Sequence, residues 1–234
     1  FGGAQHGAGS GIPGAAGPGQ QAANPTDYRP LLRGLLTALK DWVRDGVTPP
    51  PSRYPRISDG TLVGWEESRS GWPSVPGVRY PTVIQQPEFL DQGPEFAVKR
   101  RLTRFPPQPK GTYLVLVPAY GADGNERGML QVPSAAVPIG TFTGWNLRSP
   151  ALGADTELLS LTGSYIPFAR TASDASAAGD PRPALLQRFP TWESYERAYT
   201  SSLRLLTTDR YLLPEDEPGL LALARRFRER WEKP

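Results

Sequence analysis

Apolar residues recur at helical spacing near the start of the chain, in the stretch DYRPLLRGLLTALKDWVRDG. At the period of an α-helix, one face of this stretch carries Leu32, Leu35, Leu36, Leu39, Trp42 and Val43. Thr26 or Asp27 can act as the N-cap, Pro30 fits the first turn, and Gly46 can end the helix. The pattern predicts a helix over residues 27–45 that buries Leu32, Leu35, Leu39 and Trp42.

The last third of the chain carries further helical patterns. A short helix through PALLQRF is predicted from near Asp180, and Thr191 can cap a longer one that carries Trp192, Tyr195, Tyr199 and Leu206. A last helix is predicted from near Asp216 and Pro218, because its two faces differ in polarity. Its inner face carries Leu220, Leu223, Ala224, Phe227 and Trp231, and its outer face carries Arg225, Arg226, Arg228 and Arg230.

Strand patterns lie in the middle of the chain. GTYLVLVPAY is rich in branched and aromatic residues and predicts a buried strand, GADGNERG predicts a turn, and MLQVPSAAVPIGTF predicts a returning strand. The hairpin would pair residues 113–118 with residues 129–132 through Asp123, Gly124 and Asn125. A calcium loop through Asp123, Asn125 and Glu126 is the alternative, although its ligand series is incomplete.

Two regions have no long periodic pattern. Residues 1–25 consist mainly of Gly, Ala and Pro, as in GSGIPGAAGPG, which predicts a loosely held surface loop. Residues 47–110 contain proline pairs and short apolar runs such as TLVGW, which predict an extended arm with one or two short strands.

Composition narrows the function classes. The chain has 27 Pro and 25 Gly among 234 residues, which indicates many turns, and no Cys, which excludes disulfides and thiolate chemistry. Its formal charge of +3 is spread among interleaved acids and bases, which argues against a nucleic-acid partner. No run approaches the roughly 20 apolar residues that span a bilayer. Because no phosphate loop or metal-binding motif is present, we expect no cofactor and no metal.

Two candidate functional groups remain. His6, in FGGAQHGAGS, is the only histidine, so any mechanism that needs an imidazole must use it, although a lone histidine in a glycine-rich loop can also be incidental. Trp145, Asn146 and Arg148, in TFTGWNLRSP, could form one wall of a ligand site, or they could pack and satisfy backbone groups. The chain begins at Phe1 and contains no G-x-S-x-G, so we expect it to be part of a longer polypeptide.

Several stretches together resemble the bacterial alpha/beta hydrolase domain proteins of uncharacterised function. The resemblance is carried by GGAQHG, NPTDYRPLLRGLLTALKDWVRDGVTPPPSRYP, DGTLV, YLVLVPAYGADGNERGMLQVPSAAVPIGTFTGWNLR and GSYIPFARTASDASAAGDPRPALLQRF. It implies an α/β fold of which this chain is the C-terminal portion, with an appended β-hairpin, a helical tail and much irregular structure. Residues 1–46 would then end the hydrolase domain, residues 47–110 would be the proline-rich arm, and residues 111–234 would hold the hairpin and the C-terminal helices.

The resemblance also implies a mechanism. In such hydrolases the triad runs in the order Ser, acid, His, so His6 would be its histidine, and the serine and the acid would lie upstream of Phe1. If His6 has this role, residues 1–25 should be loosely held in this chain. The partners would be the upstream half of the same chain and a small ester-type substrate. A non-catalytic binding or structural module, with His6 incidental, is the alternative. The sequence upstream of Phe1 would distinguish the two, because a G-x-S-x-G there favours the enzyme.

Overall fold

A computed structural model of the protein describes residues 1–14 and 17–232. The helices are α1 (Arg29–Asp45), α2 (Glu67–Ser70), α3 (Phe96–Lys99), α4 (Pro133–Ala136), α5 (Ala172–Ala178), α6 (Leu185–Arg188), α7 (Trp192–Thr208), α8 (Glu217–Arg225) and α9 (Glu229–Glu232). The strands are β1 (Ala22–Ala23), β2 (Leu62–Gly64), β3 (Glu88–Asp91), β4 (Gln108–Thr112), β5 (Leu116–Pro118), β6 (Gly140–Thr143) and β7 (Ser164–Pro167). Two 3₁₀ turns, Pro150–Leu152 and Pro214–Asp216, connect longer elements.

The described residues form three small antiparallel sheets, so the chain mixes helices and strands as expected. The largest sheet has the order β1-β7-β6, and the other two pair β2 with β5 and β3 with β4. Residues 47–110 contain β2, β3 and most of β4, which is one strand more than the one or two expected. Two one-turn helices, α2 and α3, lie in the same region.

The central sheet separates two hydrophobic cores. Since successive strand residues point to opposite faces, Tyr165 on β7 packs into the larger core and Ile166 into the smaller one. The larger core also contains Phe142 of β6 and the inner faces of α7 and α8. The smaller core is aromatic and centres on Trp72. The two faces of this sheet therefore pack against two different cores.

The C-terminal helices follow the predicted pattern with one correction. The Thr191 side chain accepts a hydrogen bond from the Ser194 N–H, and Trp192, Tyr195, Tyr199 and Leu206 of α7 are buried. In the predicted last helix, which is split into α8 and α9, Arg230 does not face solvent. Its guanidinium donates to the backbone oxygens of Ile139 at 2.6 Å and Phe168 at 2.8 Å. Sequence periodicity predicts a polar face, but it does not reveal that carbonyl groups from two loops meet this arginine.

Helix α1 is present where it was predicted, but the predicted buried face is wrong for most of its residues. The buried residues are Pro30, Leu31, Gly34 and Ala38, whereas Leu32, Leu36, Leu39, Trp42 and Val43 are exposed. Of the predicted face, Leu35 is half-buried and packs against the larger core. Gly34 explains the difference, because a Cβ built on it would lie 2.4 Å from the backbone oxygen of Tyr211. The narrow face of small residues lets the helix approach the connection after α7 closely. The wider apolar face remains on the surface.

The predicted hairpin is wrong in its pairing. Residues 116–118 form β5, which pairs with β2 more than fifty residues earlier, as in the register Val63 with Val117. Residues 129–132 form no strand, and Tyr113 and Leu114 are exposed rather than buried. The predicted turn is present, because Gly124 N–H donates to Gly121 O at 2.9 Å and Gly121 N–H donates to Asn125 O at 2.9 Å.

Candidate active site

His6 lies in a segment whose backbone is held on both sides, here called the His6 loop (residues 2–9). On the upstream side, Gly2 N–H donates to Leu130 O at 2.9 Å, and Gly3 N–H donates to Oε2 of Glu126 at 2.9 Å. The Gly163 N–H donates to the side-chain oxygen of Gln5 at 2.9 Å. The expectation that residues 1–25 are loosely held is therefore wrong for this loop.

The two glycines before His6 permit this close packing. Gly2 and Gly3 are both buried. Gly3 has φ +69°, in the left-handed region, and a Cβ on it would lie 3.1 Å from the Cβ of Ala135 and 3.3 Å from that of Phe142. A side chain at Gly3 would therefore be strained and crowded, and the loop could not lie against β6 in this position.

Asn24 connects the His6 loop to the central sheet. Its Nδ2 donates to Gly3 O at 2.7 Å and to Thr143 O at 2.8 Å. Its Oδ1 accepts from the Thr26 N–H at 2.9 Å and from the Thr26 hydroxyl at 2.8 Å. All four hydrogen-bonding positions of the amide are used, and the residue is only 1% exposed. The side-chain amide thus bonds to backbone carbonyl groups that a neighbouring strand would bond to in a regular sheet.

The downstream side of the loop is held by the start of α1. The Tyr28 hydroxyl donates to the backbone oxygen of His6 at 2.5 Å, and Gly9 N–H donates to Thr26 O at 2.8 Å. The ring of Tyr28 also stacks on Phe1, with 5.4 Å between the ring centroids. These contacts fix the backbone at His6 itself.

The imidazole of His6 is exposed at the surface of this well-held loop. Within residues 1–14 and 17–232, no protein group forms a hydrogen bond with either ring nitrogen. The described chain therefore does not contain a hydroxyl–imidazole–carboxylate triad around His6. The ring can accept a proton at one nitrogen and donate one from the other without first breaking a contact within the chain.

Glu126 is a half-buried carboxylate at the base of the loop. Burial raises the pKa of its carboxyl group, and the hydrogen bond from Gly3 N–H partly offsets this increase. A polar groove lies beside it, lined by Asp123, Arg127, Gln131 and Arg188 among others. Arg188 and Asp123 form an ion pair at 2.7 Å across this groove. Water can therefore reach the vicinity of the Glu126 side chain.

Trp145, Asn146 and Arg148 are held by contacts within the protein. The Trp145 Nε1 donates to the Tyr120 hydroxyl at 3.0 Å, inside the small aromatic core. Asn146 is buried and donates to Gln21 O at 2.9 Å, and Arg148 Nε donates to Gly153 O at 3.1 Å. The three residues stand close in sequence but form no open wall together. Their role in substrate binding stays a prediction.

The residues of the alternative calcium loop are likewise used within the protein. Asp123 pairs with Arg188, Glu126 holds Gly3, and the Asn125 side chain accepts from Phe142 N–H at 2.9 Å and donates to Gly140 O at 3.2 Å. In the part of the chain that the structure describes, no three His, Cys, Asp or Glu side chains are grouped so that they could hold a metal ion. Over residues 1–14 and 17–232, no helix has the length and apolar character needed to cross a membrane.

Sequence reasoning singled out His6 as a candidate but not the residues that hold its loop. Glu126 was assigned to a turn or to the alternative calcium loop, and Asn24 and Tyr28 were not singled out. One signal was available for Asn24. The chain has only three asparagines, Asn24, Asn125 and Asn146, and each is buried with its amide bonded to backbone groups. In a chain rich in Pro and Gly, side-chain amides of this kind replace backbone partners that regular strands would supply.

Comparison with known proteins gives one match. A family model described as alpha/beta hydrolase domain matches residues 4–222. No curated protein and no solved structure matches the chain. The matched range includes His6, Asn24 and Glu126, whereas Gly2 and Gly3 at the start of the His6 loop precede it.

Proposed function

Because the chain belongs to the alpha/beta hydrolase domain family, we propose that it is the C-terminal part of a serine hydrolase that cleaves ester or related acyl bonds. In this proposal His6 is the general base of a Ser–His–acid triad. The serine, the acid and the oxyanion-hole donors come from residues that precede this chain.

One observation carries the proposal: the imidazole of His6 is exposed, while the backbone around it is fixed. The loop is held by Glu126, Asn24 and Tyr28 through hydrogen bonds of 2.5 to 2.9 Å. A catalytic base must be placed within a fraction of an ångström of its target, and its ring must be free to meet the nucleophile. An incidental surface histidine would need neither the buried glycines nor these contacts.

The proposed reaction uses His6 twice. Its unprotonated ring nitrogen takes the proton of the serine hydroxyl while the oxygen attacks the acyl carbon, and the imidazolium then gives this proton to the leaving group. The carboxylate on the other ring nitrogen orients the ring and stabilises its charge. Water then attacks the acyl-enzyme by the same route, which frees the acid product.

The exposed face of α1 supports an upstream partner within the same polypeptide. Leu36 is 66% exposed and Val43 is 79% exposed, and with Leu32 and Leu39 they form a continuous apolar stripe. A stripe of this kind is typical of a helix face that packs against another element. We expect Leu36→Glu to lower the melting temperature of the full-length protein and to leave that of residues 1–234 nearly unchanged. An equal effect in both proteins would contradict packing by upstream residues.

The proposal is tested by His6→Ala in the full-length protein, with a chromogenic short-chain ester as substrate. Loss of the general base should lower kcat by about 10³-fold or more, and the melting temperature should change little because the ring makes no packing contact that folding needs. Ser10→Ala is the control, since Ser10 is exposed directly after the His6 loop and its hydroxyl bonds locally, to Ile12 O at 2.9 Å. Unchanged turnover in the His6→Ala protein would refute the assignment.

A further inference from the structure

Glu126 contacts the backbone of the His6 loop three residues before the imidazole. Its Oε2 accepts the Gly3 N–H at 2.9 Å. Glu126 is itself fixed, because its backbone oxygen accepts from Nε2 of Gln131 at 2.8 Å and its backbone bridges to Tyr120. The carboxylate therefore connects a well-held turn of the protein body to the loop that carries His6.

The two sides of the Gly3 residue are held by different partners. Glu126 holds its N–H, while Asn24 Nδ2 at 2.7 Å holds its carbonyl oxygen. Asn24 also donates to Thr143 O, so it ties Gly3 to the central sheet. Glu126 ties Gly3 to the turn at residues 121–126. A hydrogen bond from an amide to a carboxylate is also stronger than one to a neutral oxygen.

We propose that Glu126 is a positioning residue, whose carboxylate holds the Gly3 amide and thereby sets where the His6 imidazole lies. The inference rests on the proposed function, because the position of His6 matters for turnover only if His6 is the general base. It assigns Glu126 no contact with the substrate or the reacting atoms.

Truncation of Glu126 should displace the loop rather than unfold the protein. Glu126 lines a polar groove, so we expect water to enter the space left by its side chain and to bond to the freed Gly3 N–H. The bonds from Gly2 to Leu130 and from Asn24 to Gly3 also remain. The loop should therefore stay attached while its geometry loosens. A shift of about 1 Å at a catalytic group can cost roughly 100-fold in rate.

The first test is kinetic and uses the full-length enzyme with the same ester. Glu126→Ala should lower kcat by about 10- to 100-fold and leave KM within about 2-fold. Glu126→Gln keeps an acceptor oxygen for Gly3 and should restore kcat to within about 5-fold of the wild type. Unchanged kcat in Glu126→Ala would overturn the inference. Glu126→Gln as slow as Glu126→Ala would also overturn it, because the charge and not the hydrogen bond would then be needed.

The second test does not depend on activity. In the full-length protein, amide exchange of Gly3 should be at least about 10-fold faster in Glu126→Ala than in the wild type, while exchange of Gly9, which bonds to Thr26, should not change. Unchanged Gly3 exchange would overturn the inference even if kcat falls. If His6→Ala leaves turnover intact, the proposed function fails. If His6→Ala abolishes turnover and Glu126→Ala does not lower kcat, the inference alone fails.

Discussion

Asn24→Asp is the substitution that separates the hydrogen bonding of Asn24 from its shape. The two side chains have nearly the same volume, but the carboxylate offers no donor. In the wild type, Nδ2 donates to the carbonyl oxygens of Gly3 and Thr143 at 2.7 and 2.8 Å. After the substitution, a negatively charged oxygen faces both carbonyl oxygens at a site that is 1% exposed. Two attractive contacts become repulsive in one step.

The expected loss can be worked out from these contacts. Each buried polar group left without a partner costs about 1–3 kcal/mol, and the unpaired charge adds to this. The two carbonyl oxygens together give about 2–6 kcal/mol at neutral pH before the charge is counted. For a chain of this size, 1 kcal/mol changes the melting temperature by about 2–4 °C, so a decrease of about 4–24 °C is expected. Asn24→Ala removes the same donors without adding a charge, and it also removes the Oδ1 acceptor of Thr26, so it serves as the comparison without a titrating group at this site.

The stability lost in Asn24→Asp should depend on pH, and the direction follows from the pKa of the new carboxyl group. Burial without a cation raises the pKa of the introduced carboxyl group in the folded state. A group of this kind favours folding when it is protonated, so the deficit of Asn24→Asp should shrink as the pH falls from 7 to 5. The deficit of Asn24→Ala should not change over this range. The assay is thermal unfolding of the three proteins by circular dichroism. An Asn24→Asp protein that melts within about 2 °C of the wild type at pH 7 would refute the reasoning.

The sequence predicted elements better than it predicted their surroundings. Thr191 and its capping contact lie within a few residues of each other, so local chemistry was enough to locate α7. Helix α1 was also located correctly, but both of its faces can be buried, one because it is apolar and the other because Gly34 and Ala38 are small. Which face meets the protein body depends on the Tyr211 backbone, which is far away in the sequence.

Contacts between residues far apart in the sequence also limited what could be predicted about the candidate site. His6 could be singled out because it is the only imidazole in the chain. Its supporting residues could not, because Glu126 reaches Gly3 over 123 positions and Asn24 reaches Thr143 over 119. The pairing of β5 with β2 is also non-local. Proline interrupts the periodic patterns around these strands, so the sequence gives little information about register.

Two further predictions concern stability. Gly34→Ala should destabilise the protein by about 2 kcal/mol despite the better helix propensity of Ala, because its Cβ would lie 2.4 Å from a backbone oxygen. Gly219→Ala in α8 is the matched control and should stabilise the protein by about 0.5–1 kcal/mol, since its Cβ meets nothing within 4 Å. Denaturant unfolding that showed both variants to be stabilised, or both to be destabilised, would contradict this. The last prediction concerns the buried pair of Asp180 and Arg182, whose side chains are 2.7 Å apart. Burial alone would raise the pKa of Asp180, but the hydrogen bonds and charge of Arg182 hold it below the usual 3.8. Because the pKa of Asp180 is lowered in the folded state, the pair stabilises the fold at pH values above the ordinary pKa of 3.8. This stability is lost as the pH falls from there through the lowered pKa. Asp180→Asn should therefore cost about 3 kcal/mol at pH 7, because it leaves Arg182 buried without its counter-charge. The difference from the wild type should narrow toward pH 3, and a difference that stays constant from pH 7 to pH 3 in chemical unfolding would show that the ion pair does not contribute in this way.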